Sequence, residues 1–188
     1  SRNQIKNTHL YSTLFIDEIK VSSIFNKTES RNQLGYNLGG SITDIIIPYL
    51  SLGAEYTRVN PFVYSNLIPA QTYTSYNYSL GDWMGNNFDK AIVFAKYTPM
   101  AKLKLVARYQ KIRKGGAGTI YQQYAVQPQP SFLSDFIKTR SDIFLQARYE
   151  YINNFYLTSS LTLMQTTLAN ENVLKDNTYQ LGISVGLP

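Results

Sequence analysis

Apolar and polar residues alternate with a period of two in four segments of the chain. Between Asp142 and Tyr151, the odd positions hold Ile, Leu, Ala and Tyr, whereas Asp142, Arg148 and Glu150 occupy even positions. Successive side chains of a β-strand point to opposite faces of its sheet, so this pattern predicts strands with one apolar face. The other three segments with the pattern are Lys102–Ile112, Phe155–Leu163 and Tyr179–Leu187.

Further strands with a less regular alternation are predicted in the first half of the chain. Each is about ten residues long, the length that a tilted strand needs to cross a bilayer. Short and long connections alternate between the predicted strands, which is typical of outer-membrane barrels with short periplasmic turns. These earlier strands are Leu10–Val21, Leu34–Ile46, Leu50–Val59 and Lys90–Thr98. The short connections are Pro48–Tyr49, Pro99–Ala101 and Ile152–Asn154, and the long ones are Ser22–Gln33, Asn60–Asp89, Lys114–Arg140 and Ala169–Thr178.

The expected fold class is all-β, with residues 1–188 forming one antiparallel transmembrane β-barrel domain of about eight strands. Composition agrees with this expectation, since charged residues make up 16% of the chain and 16 residues are Tyr. No apolar run is long enough for a membrane-spanning helix. Rings near the connections, such as Tyr49, Tyr97 and Trp83, fit the aromatic belts of a membrane protein. An ordinary Tyr-rich antiparallel sheet is the alternative.

The residue chemistry argues against catalysis. Cysteine is absent, which excludes disulfides, thiolate metal sites and cysteine nucleophiles. His9 is the single histidine and has no Gly-x-Ser-x-Gly context, and the adjacent Asp17 and Glu18 would face opposite ways on a strand. Gly115–Gly118 lacks the spacing of a phosphate-binding loop. We therefore expect no enzyme activity, no metal and no cofactor. The net charge of +6 comes from scattered residues, so a nucleic-acid partner is not expected either.

Charged residues on the polar face of the strands are expected to point into the barrel lumen, because each would cost about 2–4 kcal/mol in lipid. Their mixed signs predict an ion-paired, plugged interior, with Asp17 paired to Arg108 or Arg148. The candidate residues for these lumen ion pairs are Asp17, Glu55, Lys104, Arg108, Arg148 and Glu150.

A basic cluster is predicted at the outer rim, where two neighbouring strands end and begin. Cations attract the carboxylates and phosphates of surface glycans, and aromatic rings offer flat apolar faces to sugars. Such a rim suits an acidic polysaccharide or lipopolysaccharide, and a rim that merely meets the anionic outer-leaflet lipid is the equal alternative. Trp83 could bind sugar or anchor the membrane interface. The candidate glycan-binding residues are Lys111, Arg113, Lys114, Lys138, Arg140, Tyr121, Tyr124 and Trp83.

Two segments resemble the C-terminal half of the Wzi-type capsule-assembly outer-membrane proteins. One is Glu55–Tyr64, which begins Glu-Tyr-Thr-Arg, and the other is Tyr76–Asn87, which contains Leu-Gly-Asp-Trp-Met-Gly-Asn-Asn. Asp82, Met84 and Asn86 stand where the family commonly has His, Leu and Pro.

The resemblance implies a larger, plugged barrel in the outer membrane of a diderm bacterium, of which this chain is the C-terminal portion. It implies a lectin-like, non-catalytic role in holding or assembling capsular polysaccharide. The alternative functions are a channel or transport barrel, which predicts charge rings of one sign, and an accessory scaffold subunit of a larger envelope (secretion) complex. A scaffold predicts an exposed apolar segment such as Ser131–Ile137. The expected partners are outer-membrane lipid and lipopolysaccharide, acidic surface polysaccharide and, for a scaffold, envelope proteins.

Overall fold

A computed structural model describes residues 6–19, 32–76 and 78–186. Lys20 and Val21 of the first predicted strand, most of the predicted Ser22–Gln33 loop, and Leu187 lie outside the described residues. A short helix, α1 (Ile120–Ala125), and a 3-10 turn at Pro69–Gln71 occur within them. The strands are β1 (Thr8–Glu18), β2 (Gln33–Thr43), β3 (Leu50–Val59), β4 (Thr74–Ser75), β5 (Tyr78–Ser79), β6 (Phe88–Met100), β7 (Leu103–Lys114), β8 (Lys138–Ile152), β9 (Phe155–Leu168) and β10 (Val173–Val185).

The eight long strands form one antiparallel sheet in the order β1-β2-β3-β6-β7-β8-β9-β10. Each long strand pairs with the next long strand along the chain, so the sheet is an up-and-down meander. β1 and β10 are each paired on one side, which leaves the sheet open among the described residues. The all-β class and the antiparallel arrangement are therefore confirmed. The small β4–β5 hairpin lies apart from this sheet, within the loop of residues 60–87.

The connections follow the predicted alternation at most positions. Short turns join β2 to β3 at residues 44–49, β6 to β7 at residues 101–102, and β8 to β9 at residues 153–154. Long loops of residues 60–87 and 115–137 follow β3 and β7 and connect the strands at their opposite ends. We call that end of the sheet the loop end, and we call the two connections the first and second long loops.

The prediction of a long last loop at Ala169–Thr178 is wrong, because β10 already begins at Val173. The turn of residues 169–172 is tight, and the Leu168 N–H donates to the carbonyl of Asn172 at 2.9 Å. Glu171 adopts a positive φ of 65° in this turn. Lys175, Asp176, Asn177 and Thr178 are polar but belong to β10, so the loss of apolar alternation does not mark a loop there.

The register sorts the side chains of the sheet into two faces. Leu105 lies opposite Ala147 on one face, which we call the apolar face. Arg108 lies opposite Phe144 on the other, which we call the polar face and which also carries Glu55. We call the part of the apolar face that extends from the short turns to the register level of Tyr109 the apolar band. Within the described strands, the apolar band holds no charged side chain. Its exposed large side chains include Leu10, Val93, Ile143, Leu145, Leu157, Leu181 and Ile183.

A hydrophobic core lies at the loop end of the polar face. Val59 and Phe88 are register partners at the ends of β3 and β6, and both are buried. Val63 of the first long loop packs against them and is completely buried, with Phe15 and Tyr64 packed around the cluster. Removing these side chains from water stabilises the first long loop against the polar face of the strands. The polar face is thus covered by folded chain at the loop ends of β1, β3 and β6.

Asn87 joins the two long loops. Its side chain is fully buried, and its Nδ2 donates to the carbonyls of Gly116 at 2.8 Å and Ser134 at 3.2 Å. Its Oδ1 accepts from the Leu133 N–H at 2.7 Å. Asn87 has a positive φ of 51°, a conformation that Asn tolerates better than most residues. Gly115 leaves room beside it, because an added Cβ would lie 2.7 Å from the Ser134 carbonyl oxygen and 2.8 Å from the Leu133 Cα.

We expect Asn87→Ala to loosen both long loops while leaving the sheet intact. The substitution removes three side-chain hydrogen bonds inside the protein, a loss of about 3 kcal/mol. Trp83 is the single tryptophan and lies in the first long loop, so its fluorescence during denaturant titration reports opening of that loop. Circular dichroism of the strands measures the sheet on the same samples.

The matched control is Asn87→Gly, which permits the positive φ but also lacks the side chain. Both variants should open the loop at lower denaturant than the wild type. A glycine variant as stable as the wild type would show that the side-chain bridges do not hold the loops together.

Candidate functional site

A cleft of about 440 Å³ opens at the loop end. It lies between the start of β2, the end of β3 and the second long loop, and we call it the loop-end cleft. Its walls combine side-chain amides, aromatic rings and one guanidinium group. The residues that contribute these groups are Gln33, Arg58, Asn60, Phe62, Gln129 and Phe132.

Arg58 is held in a fixed position in the wall of the cleft. Its guanidinium carbon lies 3.7 Å from the centroid of the Phe132 ring, and its Nε donates to the Asn60 Oδ1 at 3.2 Å. Its register neighbour Asp89 is bound by Arg113 instead, and Arg58 forms no salt bridge within the described residues. The cleft therefore contains a positioned cation whose charge is not neutralised by a carboxylate there.

Buried amides support the floor of the cleft. Gln33 and Gln123 are both buried, and the Gln123 Nε2 donates to the carbonyl of Ser65 at 3.2 Å. The Gln33 amide, in the orientation that satisfies both its ends, donates to the Phe62 carbonyl at 3.0 Å and to the Asp17 Oδ2 at 2.9 Å. These bonds tie β2, the first long loop and α1 together, so the shape of the cleft depends on both long loops.

Gln129 shapes the opposite wall. Its Nε2 donates to the carbonyl of Val126 at 2.8 Å and to that of Gln123 at 3.1 Å. These contacts close the segment that follows α1 into a compact turn. The helix itself begins with a reciprocal cap, in which Thr119 accepts from the Gln122 N–H and the Gln122 side chain accepts from the Thr119 N–H. Such a cap satisfies free amides at the start of a helix.

The predicted basic rim is divided between the two faces of the sheet. Lys111 and Arg113 lie on the apolar-face side, whereas Lys114, Lys138 and Arg140 lie on the polar-face side. Lys114 and Lys138 are direct register partners, so these two cations do come together. The five residues do not converge on one surface, because positions separated by an odd number point to opposite faces of a strand.

Two of the rim arginines are bound by carboxylates. The Arg113 Nε donates to Asp89 at 3.0 Å, and the Tyr56 hydroxyl donates to the same carboxylate at 3.0 Å. Arg140 donates to Asp142 at 2.8 Å. The positive charge left for a ligand at the rim is therefore smaller than the number of basic residues indicates.

Lys114 lies partly buried among the long loops. It donates to the carbonyl of Asn86. Burial lowers the pKa of Lys114 below its usual value of 10.5, and the charge of the facing Lys138 lowers this pKa further. The like-charged pair is thus a local electrostatic cost within the loop end.

The aromatic candidates lie in different loops. Trp83 is exposed by 66% in the first long loop, in a turn where Asp82 accepts from the Met84 N–H at 2.9 Å. Tyr121 is exposed by 72% on α1, and Tyr124 lies on the same helix. Trp83 and Tyr121 form no ring contact within the described part of the chain, so the structure does not assemble them into one stacking surface.

The six candidate lumen residues do not form the predicted ion pairs. Glu55, Lys104, Arg108, Arg148 and Glu150 do share the polar face. The salt bridges of the described residues are Lys90–Asp82, Arg113–Asp89 and Arg140–Asp142, and none of them uses these six.

Other contacts replace the ion pairs because the opposite charges lie at different levels of the sheet. Asp17 accepts from the Tyr64 N–H at 2.8 Å, not from Arg108 or Arg148, and Glu55 accepts from the Tyr11 hydroxyl. Glu150 accepts from the Asn154 N–H at 3.0 Å. Arg148 lies 3.9 Å from the centroid of the Tyr156 ring, and its direct register partner is Lys104. Arg108 likewise lies over Phe144, at 5.3 Å from the ring centroid.

Arg58 was not predicted as a site residue from the sequence. Arg58 stands in the Glu55–Tyr64 segment, directly before Asn60-Pro61-Phe62, where a strand passes into a long loop. An arginine at that junction is a signal that could have been used. Its contact with Phe132 joins positions far apart in the chain, and no local pattern predicts it.

No group of three or more His, Cys, Asp or Glu side chains within the described residues could hold a metal ion. None of their helices has the length and apolar character needed to cross a bilayer. Comparison with known proteins finds no matching family model, curated protein or solved structure.

We expect Lys138→Met to raise the pKa of Lys114 and to stabilise the loop end near neutral pH. In the wild type, the folded protein releases the Lys114 proton at a lower pH than the unfolded chain does. The free energy of unfolding therefore increases as the pH rises from the lowered pKa toward 10.5, since the unfolded chain binds more protons in that window. Removing the Lys138 charge narrows this pH range, because it brings the pKa of Lys114 in the folded protein closer to 10.5.

Side-chain NMR titration of ¹³C-labelled lysines measures the pKa of Lys114 directly. Lys104→Met, which removes a cation from the same strand far from the loop end, is the matched control. An unchanged pKa of Lys114 in Lys138→Met would contradict the proposed repulsion.

Proposed function

We propose that this protein is an outer-membrane β-barrel of a diderm bacterium that holds surface polysaccharide without catalysis. The apolar band faces lipid, the polar face lines the lumen, and the loop end lies outside the cell. The observation that carries the glycan-binding role is the loop-end cleft, with its positioned arginine, side-chain amides and aromatic rings between β2, β3 and the second long loop.

The separation of the two faces supports the membrane assignment. Leu10 is exposed by 51% and Leu181 by 74%, and both belong to the apolar band. Soluble proteins rarely expose continuous apolar surfaces of such extent. Charges such as Glu55 and Arg108 lie on the opposite face, as the strands of a membrane barrel require.

The open edges of the sheet support a barrel larger than these eight strands. β1 and β10 each leave one row of backbone N–H and C=O groups unpaired. Backbone groups without partners cost several kcal/mol each in a bilayer, which is why membrane sheets close. We infer that additional strands of the same protein pair with β1 and β10 and complete the barrel.

The folded long loops favour a plugged barrel over a channel. Val63 of the first long loop packs onto Val59 and Phe88 at the loop end of the polar face. The second long loop is bound to the first through Asn87. The charges on the polar face also have both signs, whereas selective pores use rings of one sign.

The chemistry of the loop-end cleft suits an acidic polysaccharide. A guanidinium group binds carboxylates with charge-assisted hydrogen bonds, and amides bind sugar hydroxyls. The faces of Phe62 and Phe132 offer apolar surface to sugar rings. The cleft includes part of Glu55–Tyr64, one of the two segments that resemble the Wzi-type capsule-assembly proteins, so the proposal agrees with that resemblance.

We expect Arg58→Ala to weaken binding of acidic capsular polysaccharide about tenfold or more, because a charged hydrogen bond is lost. Phe132→Leu should weaken binding by less. Arg108→Ala is the matched control, since Arg108 also lies over an aromatic ring but inside the polar face. Binding is measured by surface plasmon resonance on immobilised protein.

A second variant separates binding from folding. Arg58→Lys keeps the charge but loses the planar fork, so it should bind less tightly than wild type and more tightly than Arg58→Ala. Denaturant titration followed by Trp83 fluorescence confirms that the loops remain folded. Equal glycan affinity of wild type and Arg58→Ala, with folded loops, would contradict the role of the cleft.

We further expect liposomes that contain the protein not to swell in isotonic solutions of small sugars, because folded loops cover the loop end of the lumen. The swelling rate is followed by light scattering, with a general porin as the positive control. Rapid swelling would reject the plugged barrel and favour the channel function.

One observation favours a scaffold as the second candidate function. Phe136 and Ile137, at the end of the second long loop, are exposed by 41% and 43%. Adjacent exposed apolar residues on a loop suit contact with another envelope protein. A protein that inserts into membranes, does not swell liposomes and binds no glycan would support this candidate.

A further inference from the structure

On strands β7 to β10, the apolar face ends toward the loop end in a row of polar residues. Lys111 of β7 pairs with Ser141 of β8, Ser141 pairs with Gln165 of β9, and Gln165 pairs with Lys175 of β10. The next residues of this face toward the short turns include Tyr109, Ile143 and Leu163, which belong to the apolar band. We call Lys111, Ser141, Gln165 and Lys175 the boundary row.

The boundary row carries positive charge that no carboxylate neutralises within the described residues. Lys111 and Lys175 are both exposed and form no salt bridge there. Asp89 also lies on this face, but Arg113 binds it. The strands from β8 to β10 present no acidic side chain on the apolar face among the described residues. This stretch of the rim therefore attracts anions.

The two lysines flank the row. They lie three strands apart, which corresponds to about 14 Å along the sheet. Ser141 and Gln165 lie between them and provide a hydroxyl and an amide. Lysine ammonium groups at the two ends and hydrogen-bonding groups in the middle match a ligand with two anionic groups separated by a polar body.

Shallow apolar grooves lie on the same face below the boundary row. Ala107, Ala147 and Ser159 are small residues between larger ones, and they leave cavities of about 390 Å³ and 690 Å³. Leu105, at the level of Ala147, is six residues along β7 from Lys111, a distance of about 20 Å along the strand. That depth matches the length of a lipid acyl chain, and the grooves are lined by apolar side chains of the apolar band.

We propose that the boundary row and the grooves below it bind a bisphosphorylated, multiply acylated glycolipid of the lipid A type in the outer leaflet. The phosphates bind Lys111 and Lys175, the sugar body contacts Ser141 and Gln165, and acyl chains occupy the grooves. This site rests on the proposed membrane barrel and is separate from the loop-end cleft. Its residues lie on β7 to β10, next to the apolar band, where lipid and not capsular polysaccharide is the neighbour.

The test measures lipid retained by the purified protein in phosphatidylcholine nanodiscs doped with one lipid at a time. The added lipids are bisphosphoryl lipid A, monophosphoryl lipid A and phosphatidylglycerol, and retention is measured by native mass spectrometry. The wild type should retain bisphosphoryl lipid A most tightly. The double variant Lys111→Ala/Lys175→Ala should lose about 25-fold in affinity, about fivefold for each lysine near the membrane surface.

Lys104→Ala is the matched control, because it removes a lysine from the opposite face of β7 and should retain lipid A like the wild type. Equal retention by wild type and double variant overturns the proposal, as does equal retention of lipid A and phosphatidylglycerol by the wild type. Insertion into phosphatidylcholine vesicles is measured separately by flotation. Failure to insert would contradict the membrane barrel itself, whereas normal insertion with unchanged lipid A retention overturns this site alone.

Discussion

The strict two-residue alternation of side chains is the constraint on which the whole sheet depends. Leu105 and Arg108, three positions apart on β7, point to opposite faces, and the same parity holds from strand to strand through the register. A slip of one residue in any strand would exchange its apolar set for its charged set. The paired strands therefore tolerate many different residues as long as each keeps its polarity, and the chain achieves two chemically distinct faces with few charges.

The long loops are stabilised in another way. They contain little regular structure, and buried polar contacts replace a continuous backbone ladder within them. Asn87 supplies several of these contacts, and Gln33 and Gln123 supply others. Polar groups buried in this way stabilise a particular arrangement, because each alternative leaves a donor or acceptor without a partner. These buried contacts determine the shape of the loop-end cleft, and the sheet supports the loops that form it.

The sequence allowed the strands, their faces and most turns to be predicted, because alternation is local. It failed at the last turn, where Lys175 and its neighbours form strand without apolar alternation. The prediction of lumen ion pairs was wrong because two charges can pair only when the register places them at the same level of the sheet. Lys104 and Arg148 do lie at the same level, but both are positive. The division of the basic rim residues between the two faces could have been predicted, because odd and even positions of a strand point to opposite faces. The contact of Arg58 with Phe132 requires loop structure that no local pattern encodes.

The connectivity of the sheet also determines the order in which its parts can form. Each long strand contacts its sequence neighbours, so the sheet can grow by adding one hairpin at a time, with little entropy lost in closing each connection. Asn87 and Ser134, in contrast, are separated by 47 positions in the chain. Their contact brings together residues on either side of the β6–β7 hairpin. The two loops can pack together only after the intervening strands are in place, so the surface around the loop-end cleft forms last.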